Sequence, residues 1–304
     1  KNGHVTLTST YASGKIVKSY LNLQPRFAAT YPLDEKSSIK FSYSRNVQNL
    51  HLLSNSPGSN PTDVWIPSSN NVKPEISDQL STGYYRNIAQ NRYEFSAEVY
   101  YKFLQNQIDY KNGALLVANE TVESQLLYGK GRAYGLELYA KKKYGKLTGW
   151  ISYTLSRTER LIDGINNNSW YPNTQDQTHN VAIVGTYKYN KKWTFSADFV
   201  YNTGNAVTWP SGKYMVNGNT VFYYTERNGY RMPSYNRLDI SATLQGRKTA
   251  KFDGSWTFSV YNVYGRENPY FIQFQNDPTD PQKTEAVQYS LFRWVPSVTY
   301  NFKF

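Results

Sequence analysis

Apolar and polar residues alternate one for one through most of the chain, the period that sends successive side chains to opposite faces of a β-strand. In residues 192–202, Trp193, Phe195, Ala197, Phe199 and Tyr201 fall on one face and Thr194, Ser196 and Asp198 on the other. In 92–102, Tyr93, Phe95, Ala97, Val99 and Tyr101 oppose Glu94, Ser96, Glu98 and Lys102. Leu238, Ile240, Ala242 and Leu244 alternate with Asp239, Ser241 and Thr243, and Tyr134, Leu136, Leu138 and Ala140 with Glu137, Tyr139 and Lys141. The pattern predicts about eleven strands, near residues 20–32, 37–47, 79–87, 92–106, 128–143, 146–158, 179–190, 192–203, 235–246, 254–266 and 288–304. Each is long enough for the ~9–11 residues of a tilted membrane-crossing strand.

The connections alternate too. Short turns are predicted at PLDEKS (32–37), NIAQN (87–91), KYGK (143–146), YNKK (189–192) and GRKTAKFD (246–253). Long polar loops are predicted at 48–78, 107–127, 159–178, 204–234 and 267–287. A soluble sandwich has no reason to gather every long loop at one end, whereas an outer-membrane barrel has short periplasmic turns and long outer loops. The fold class is therefore all-β, a transmembrane antiparallel up-and-down β-barrel. Aromatic residues near predicted strand ends, Tyr100, Tyr101, Tyr187, Tyr189, Trp193, Tyr201, Tyr261 and Tyr264, are assigned to girdles at the lipid headgroups.

Composition fits this reading. Only 39% of residues are hydrophobic while 16% are aromatic, with 29 tyrosines against 2 methionines, and mean hydropathy is −0.67. In a barrel only the lipid-facing half of each strand need be apolar, so a low average is compatible with a membrane. The longest apolar run is ALLVA at 114–118, far short of the ~18 residues of a spanning helix. Cysteine is absent, which removes disulfides and thiolate metal sites. The net charge of +12 is scattered or in short clusters such as 141–143, 190–192 and 247–251. No nucleic-acid-binding signature accompanies it, so no nucleic-acid partner is expected.

The last strand, SVTYNFKF (297–304), is expected to end on the short-turn side with Val298, Tyr300, Phe302 and Phe304 toward lipid. Counting back an odd number of strands puts the start of the chain at the outer end, whereas single-chain barrels usually have an even count. The expectation is a C-terminal piece of a larger barrel. The alternative is a closed twelve-strand barrel using residues 3–10.

The string YLNLQPRFAATYPLDEKSSIKFSYSRNVQNLHLLSNS (20–56), with PTDVWIPSSNNVKPEISDQLSTGYYRN (61–87), resembles the barrel of TonB-dependent outer-membrane receptors of the Bacteroidetes type. SVYNVYGRENPY (259–270) and VPSVTYNFKF (295–304) are similar to that family's final two strands. The resemblance covers nearly the whole chain and implies a roughly 22-stranded barrel, an N-terminal plug and a TonB box. Residues 1–304 would then be the C-terminal portion of the barrel, about eleven strands of it, without plug, TonB box or N-terminal strands. The implied function is nutrient binding at the outer loops and active uptake as TonB moves the plug, in the outer membrane of a Gram-negative bacterium. The implied partners are the remaining strands and plug, the TonB complex, outer-membrane lipid or lipopolysaccharide, and a surface-exposed substrate-binding lipoprotein. The last strand, with Tyr300, Phe302 and Phe304, resembles the family's barrel-assembly signal.

Catalytic constellations are not found: there is no G-x-S-x-G elbow, H-E-x-x-H or Walker loop. GKGRAYG (129–135) has the wrong spacing for a phosphate loop and leads into a strand. His4, His51 and His179 lie far apart and are expected at the surface; a protease would need His179 beside an acid such as Asp176. Glu94, Glu98, Glu137, Asp198 and Asp239 are expected to face the lumen and to pair with Lys102, Lys141 or plug cations. No cofactor or metal is expected. Candidate substrate contacts are the loop residues Trp65, Trp170, Tyr171, Trp209, Tyr214, Tyr223, Tyr224, Arg227, Tyr270 and Phe271, which combine aromatic area with hydrogen bonding. Arg132, Arg157, Arg160, Arg227 and Arg231 are candidates for lipopolysaccharide phosphates. The competing readings are a small barrel acting as a surface protease or lipid enzyme, and a passive porin or adhesin.

Overall fold

The computed structural model describes residues 10–53, 64–114, 122–217, 219–249, 252–280 and 283–304. One antiparallel sheet is built from strands β1 (Arg26–Asp34), β2 (Ser37–Gln48), β3 (Glu75–Ile88), β4 (Tyr93–Tyr110), β5 (Leu126–Lys142) and β6 (Leu147–Ile162), followed by β7 (His179–Lys188), β8 (Trp193–Asn202), β9 (Tyr235–Thr249), β10 (Phe252–Tyr261) and β11 (Val295–Lys303). Each strand pairs with its neighbour in sequence, the up-and-down order that the alternating connections require. All the short turns fall at one end of the sheet and all the long connections at the other.

Register carries the apolar face across the sheet. Tyr187, Phe195, Ala242, Phe258 and Val298 form one row of direct partners from β7 to β11. Phe41, Thr82, Val99, Leu136 and Leu155 form another from β2 to β6. Ile151, Ile183, Ile240, Val298, Tyr300 and Phe302 are exposed, as side chains whose solvent is lipid should be. The opposite face carries hydroxyl pairs across strands: Ser42–Ser81 at 2.7 Å, Thr186–Ser196 at 3.1 Å and Thr243–Thr257 at 3.1 Å. Such cross-strand pairs suit a hydrated lumen and would be costly against lipid. Gly135 makes room on this face: a Cβ there would stand 2.9 Å from the Tyr100 hydroxyl and 2.7 Å from the Leu155 carbonyl.

β1 and β11 are exposed along their full lengths and each pairs on one side only, so the sheet has two free edges among the described residues. The segment offered for a twelfth strand lies almost wholly outside the described residues, and Thr10 is in no strand.

Several expectations are corrected. Tyr100 and Tyr261 belong to the lumen face, not a lipid girdle: Tyr100 is opposite Ser81 and Gly135, and the Arg237 guanidinium lies 4.4 Å from the Tyr261 ring. β11 begins at Val295 and not at 288, because Thr284–Tyr289 pairs back onto Phe271–Asn276 as a hairpin of the last loop. Glu94 pairs with Lys143 at 2.8 Å instead of Lys102 or Lys141, and Asp239 with Arg237 at 3.0 Å. Glu98 accepts a hydrogen bond from the Tyr85 hydroxyl at 2.5 Å.

Beyond the sheet the long connections carry small hairpins of their own, Leu50–Leu53 with Val64–Pro67 and Gly212–Val216 with Asn219–Tyr223. Two compact apolar clusters form there. Leu53, Ile66, Val72, Ile108 and Leu126 make one, and Ile162, Ile165 and Tyr171 the other.

Candidate functional site

Three of the five long connections are fastened together by two ion pairs whose carboxylates are buried. Asn166, Asn167 and Asn168 all have positive φ, between 48° and 58°, a left-handed turn that asparagine tolerates better than most residues. The turn lets Asn166 donate to the Arg227 carbonyl at 2.9 Å and accept from the Arg227 N–H at 2.8 Å. Arg227 then reaches into the interior, donating to Asp109 at 2.8 Å, to the Tyr110 carbonyl at 3.0 Å and to Asn112 at 3.0 Å. Tyr171 donates its hydroxyl to the other Asp109 oxygen at 2.8 Å. Burial first, and then the Asp109 charge, push the Tyr171 hydroxyl well above the ordinary tyrosine range. The second pair is Arg231 with Asp176; Asp176 also accepts from the Thr158 N–H at 2.5 Å.

Arg231 donates as well to the Gly204 carbonyl at 3.1 Å, and that anchors the floor of a pocket. The pocket holds about 290 Å³ and is lined by Gln177, Asn202, Thr203, Gly204, Asn205, Met232, Pro233, Tyr235, Pro269 and Tyr270. Asn202 ends β8, Tyr235 begins β9, and the two are direct partners on the lumen face. Gln177 enters from the preceding connection and donates to Asn205 at 2.6 Å. Gly204 is required: a Cβ there would collide with the Met232 carbonyl. The result is a cleft at the mouth of the lumen with amides, a hydroxyl and two tyrosines, and no charged side chain among the described residues that line it.

The residues singled out from sequence are spread over this end of the molecule. Tyr270 lines the pocket and meets Phe271 edge-on at 5.8 Å; Phe271 stacks on Tyr289 at 4.4 Å. Trp209 stacks on Tyr230 at 5.5 Å and meets Phe274 at 5.6 Å, so the last two long connections touch through aromatic rings. Tyr214 and Tyr223 face each other at 6.3 Å across their hairpin, and Tyr224 is exposed beside them. Trp65 is exposed on a separate hairpin, and Trp170 packs 4.2 Å from the Arg132 guanidinium. Tyr171 and Arg227 are buried, with every contact just described made inside the loop body. The pocket amides Gln177, Asn202 and Asn205 escaped the sequence reading, because neutral amides in loops carry no periodic signal.

The family profile described as TonB dependent receptor-like, beta-barrel matches residues 3–263. The chain belongs to the TonB-dependent receptor β-barrel family. Solved structures of the same architecture include the ferripyoverdine receptor of the outer membrane of Pseudomonas aeruginosa bound to ferripyoverdine, with 13% identity and a TM-score of 0.57 over 92% of this chain and 33% of that one. The ferric citrate transporter FecA shares 15% identity and a TM-score of 0.57, over 92% and 38%. The FrpB iron transporter from Neisseria meningitidis shares 13% identity and a TM-score of 0.56, over 92% and 39%. The chain thus spans little more than a third of the length of the structures it matches. No curated protein sequence matches it.

In a TonB-dependent receptor barrel the long connections face the outside and the short turns the periplasm, which places the pocket at the outer mouth of an outer-membrane protein. Of the histidines expected at the surface, His179 is exposed and His51 is not. His51 is buried, with its Nε2 3.0 Å from Ser68 and its Nδ1 3.6 Å from Glu75; His4 lies outside the described residues. His179 is exposed and meets the Tyr153 hydroxyl at 2.9 Å, while Asp176 is committed to Arg231, so the His179–Asp176 pairing that a protease needs is not formed.

Proposed function

We propose that residues 1–304 are the C-terminal portion of the barrel of an outer-membrane active-transport receptor, whose plug and N-terminal strands lie outside this sequence. The observation that carries the reading is the open eleven-strand sheet with every long connection at one end, in a chain of this family. Two exposed edges in a membrane demand partner strands, since unpaired backbone groups there cost several kcal/mol each. In the completed receptor a nutrient binds at the outer loops and pocket and passes through the lumen when TonB moves the plug. The uncharged lining of amides and tyrosines suits a ligand rich in hydroxyl and amide groups. Trp65, Trp209, Tyr214, Tyr223, Tyr224, Tyr270 and Phe271 supply aromatic surface around it. Tyr300, Phe302 and Phe304 serve as the assembly signal on the closing strand, and a surface lipoprotein delivers substrate to the loops. FpvAI, one of the structural neighbours, is solved in complex with pyocin S2, which supports a protein partner for a barrel of this fold.

The test is intact mass and N-terminal sequencing of the native protein, together with uptake of a labelled nutrient with and without a functional TonB complex. The expected result is a longer receptor whose uptake stops without TonB. A 35.1 kDa species that closes by itself and passes solutes without TonB would overturn the reading.

A further inference from the structure

On the lipid-facing side of β3 to β5 the apolar band ends toward the outside in a row of partners, Leu80, Tyr101 and Tyr134, with the two tyrosines stacked at 5.8 Å. One row further out on the same face stand Asp78, Phe103, Arg132 and Glu159, and Arg157 sits opposite Tyr134. This is the level at which aromatic belts give way to lipid headgroups. Arg45 in this row is closed off by Asp78, one guanidinium against one carboxylate at 2.7 and 3.0 Å. Arg132 and Arg157 are arranged otherwise: both hold the single carboxylate of Glu159, whose side chain is only 8% exposed.

Arg132 uses Nε and Nη2 on Glu159, at 2.8 and 2.7 Å, and Arg157 uses Nε at 2.9 Å. Two positive charges against one negative leave a net positive charge, and Arg132 Nη1 and both Nη atoms of Arg157 have no acceptor among the described residues. The side chains stay 34% and 40% exposed. Trp170, 4.2 Å from the Arg132 guanidinium, and Tyr134, 5.9 Å from it, hold that group in place. The other arginines considered for phosphate contact are turned elsewhere: Arg160 donates to the Ile108 carbonyl, and Arg227 and Arg231 are bound within the loop body.

We propose that Arg132 and Arg157 form a binding site for the phosphate of an outer-leaflet glycolipid headgroup, that is, of lipopolysaccharide. Two fixed guanidinium forks are matched to phosphate geometry. They stand where such a phosphate meets the barrel wall, and the acyl chains below it would lie on the apolar band. Glu159 is then the positioning residue that sets the spacing of the forks.

The experiment uses the receptor extracted from its outer membrane, stripped of lipid in detergent and mixed with diphosphoryl lipid A or its fully dephosphorylated form, with bound lipid counted by native mass spectrometry. Diphosphoryl lipid A is expected to bind about thirtyfold more tightly than the dephosphorylated form, with no competition from inorganic phosphate. R132Q/R157Q is expected to remove that preference while the barrel keeps its heat-modifiable migration. Equal binding of the two lipids by the unmutated receptor, an undiminished preference in the folded variant, or displacement by inorganic phosphate would each overturn the proposal. The comparison of the two lipids needs no variant, so it stands even if the substitution prevents folding.

Discussion

In the sheet, Ile183, Ile240 and Phe258 point outward with 39%, 41% and 42% of their surface uncovered, whereas in the outer loop body Ile162, Ile165 and Tyr171 keep 0%, 1% and 2%. The difference lies in what surrounds each region. The wall leaves its apolar side chains to lipid and needs only backbone pairing and a polar inner face. The loop body stands in water and must build a core of its own, so it buries aliphatics and closes around Arg227–Asp109 and Arg231–Asp176. Charge is treated oppositely as well. In mid-wall Asp198 faces the lumen opposite Asp239, while Asp109 and Asp176 are buried against Arg227 and Arg231.

Substitutions that break one region and spare the other test this contrast. The largest effect is expected from Asp109→Ala, which strands the Arg227 guanidinium without its carboxylate and costs about 3–5 kcal/mol. Limited proteolysis should then cut the long connections near 111–125 and 163–178, while the barrel resists SDS as before. Ile240→Arg in mid-wall is expected to cost ~2–4 kcal/mol in urea unfolding from lipid vesicles. Asp198→Arg should be well tolerated, because the new side chain faces Asp239, its direct partner. Asn202→Ala with Tyr270→Ala is expected to lower nutrient uptake several-fold with unchanged unfolding, each lost hydrogen bond being worth ~1 kcal/mol.

The smallest effect concerns pH. Tyr171 is held neutral in the folded loops, so its folded pKa lies above the unfolded value of about 10. Its contribution is therefore full below pH ~10 and is lost progressively at higher pH. Tyrosinate absorbance should show the Tyr171 hydroxyl ionising only as the loops open, a contribution that Tyr171→Phe removes.

How much could be read from sequence follows the same division. The wall was legible because alternation is forced on every strand that meets lipid on one side: Phe195, Phe199 and Ile240 are assigned to the correct face without any structure. The errors there are local. Tyr100 follows the lumen parity of Glu98 and Lys102, and its chemical type drew it to the girdle. The loop body has no period, so Arg227 and Tyr171 looked like contact residues although they are interior. The hairpin Phe271–Asn276 with Thr284–Tyr289 was partly absorbed into the last strand because its residues alternate as well. The pocket combines residues from three connections, a convergence that only the fold reveals.

A wall with one face in lipid and the other in the lumen is open to single cysteines placed along β8 from Thr194 to Tyr201, in a sequence that has no cysteine of its own. Labelling of the receptor in intact outer membranes by a water-soluble thiol reagent is the measurement. Positions 194, 196, 198 and 200 should react and 195, 197, 199 and 201 should be protected, with the opposite order for a lipid-soluble reagent. Uniform reactivity along the strand, or protection of the even positions, would mean that β8 does not divide lipid from lumen.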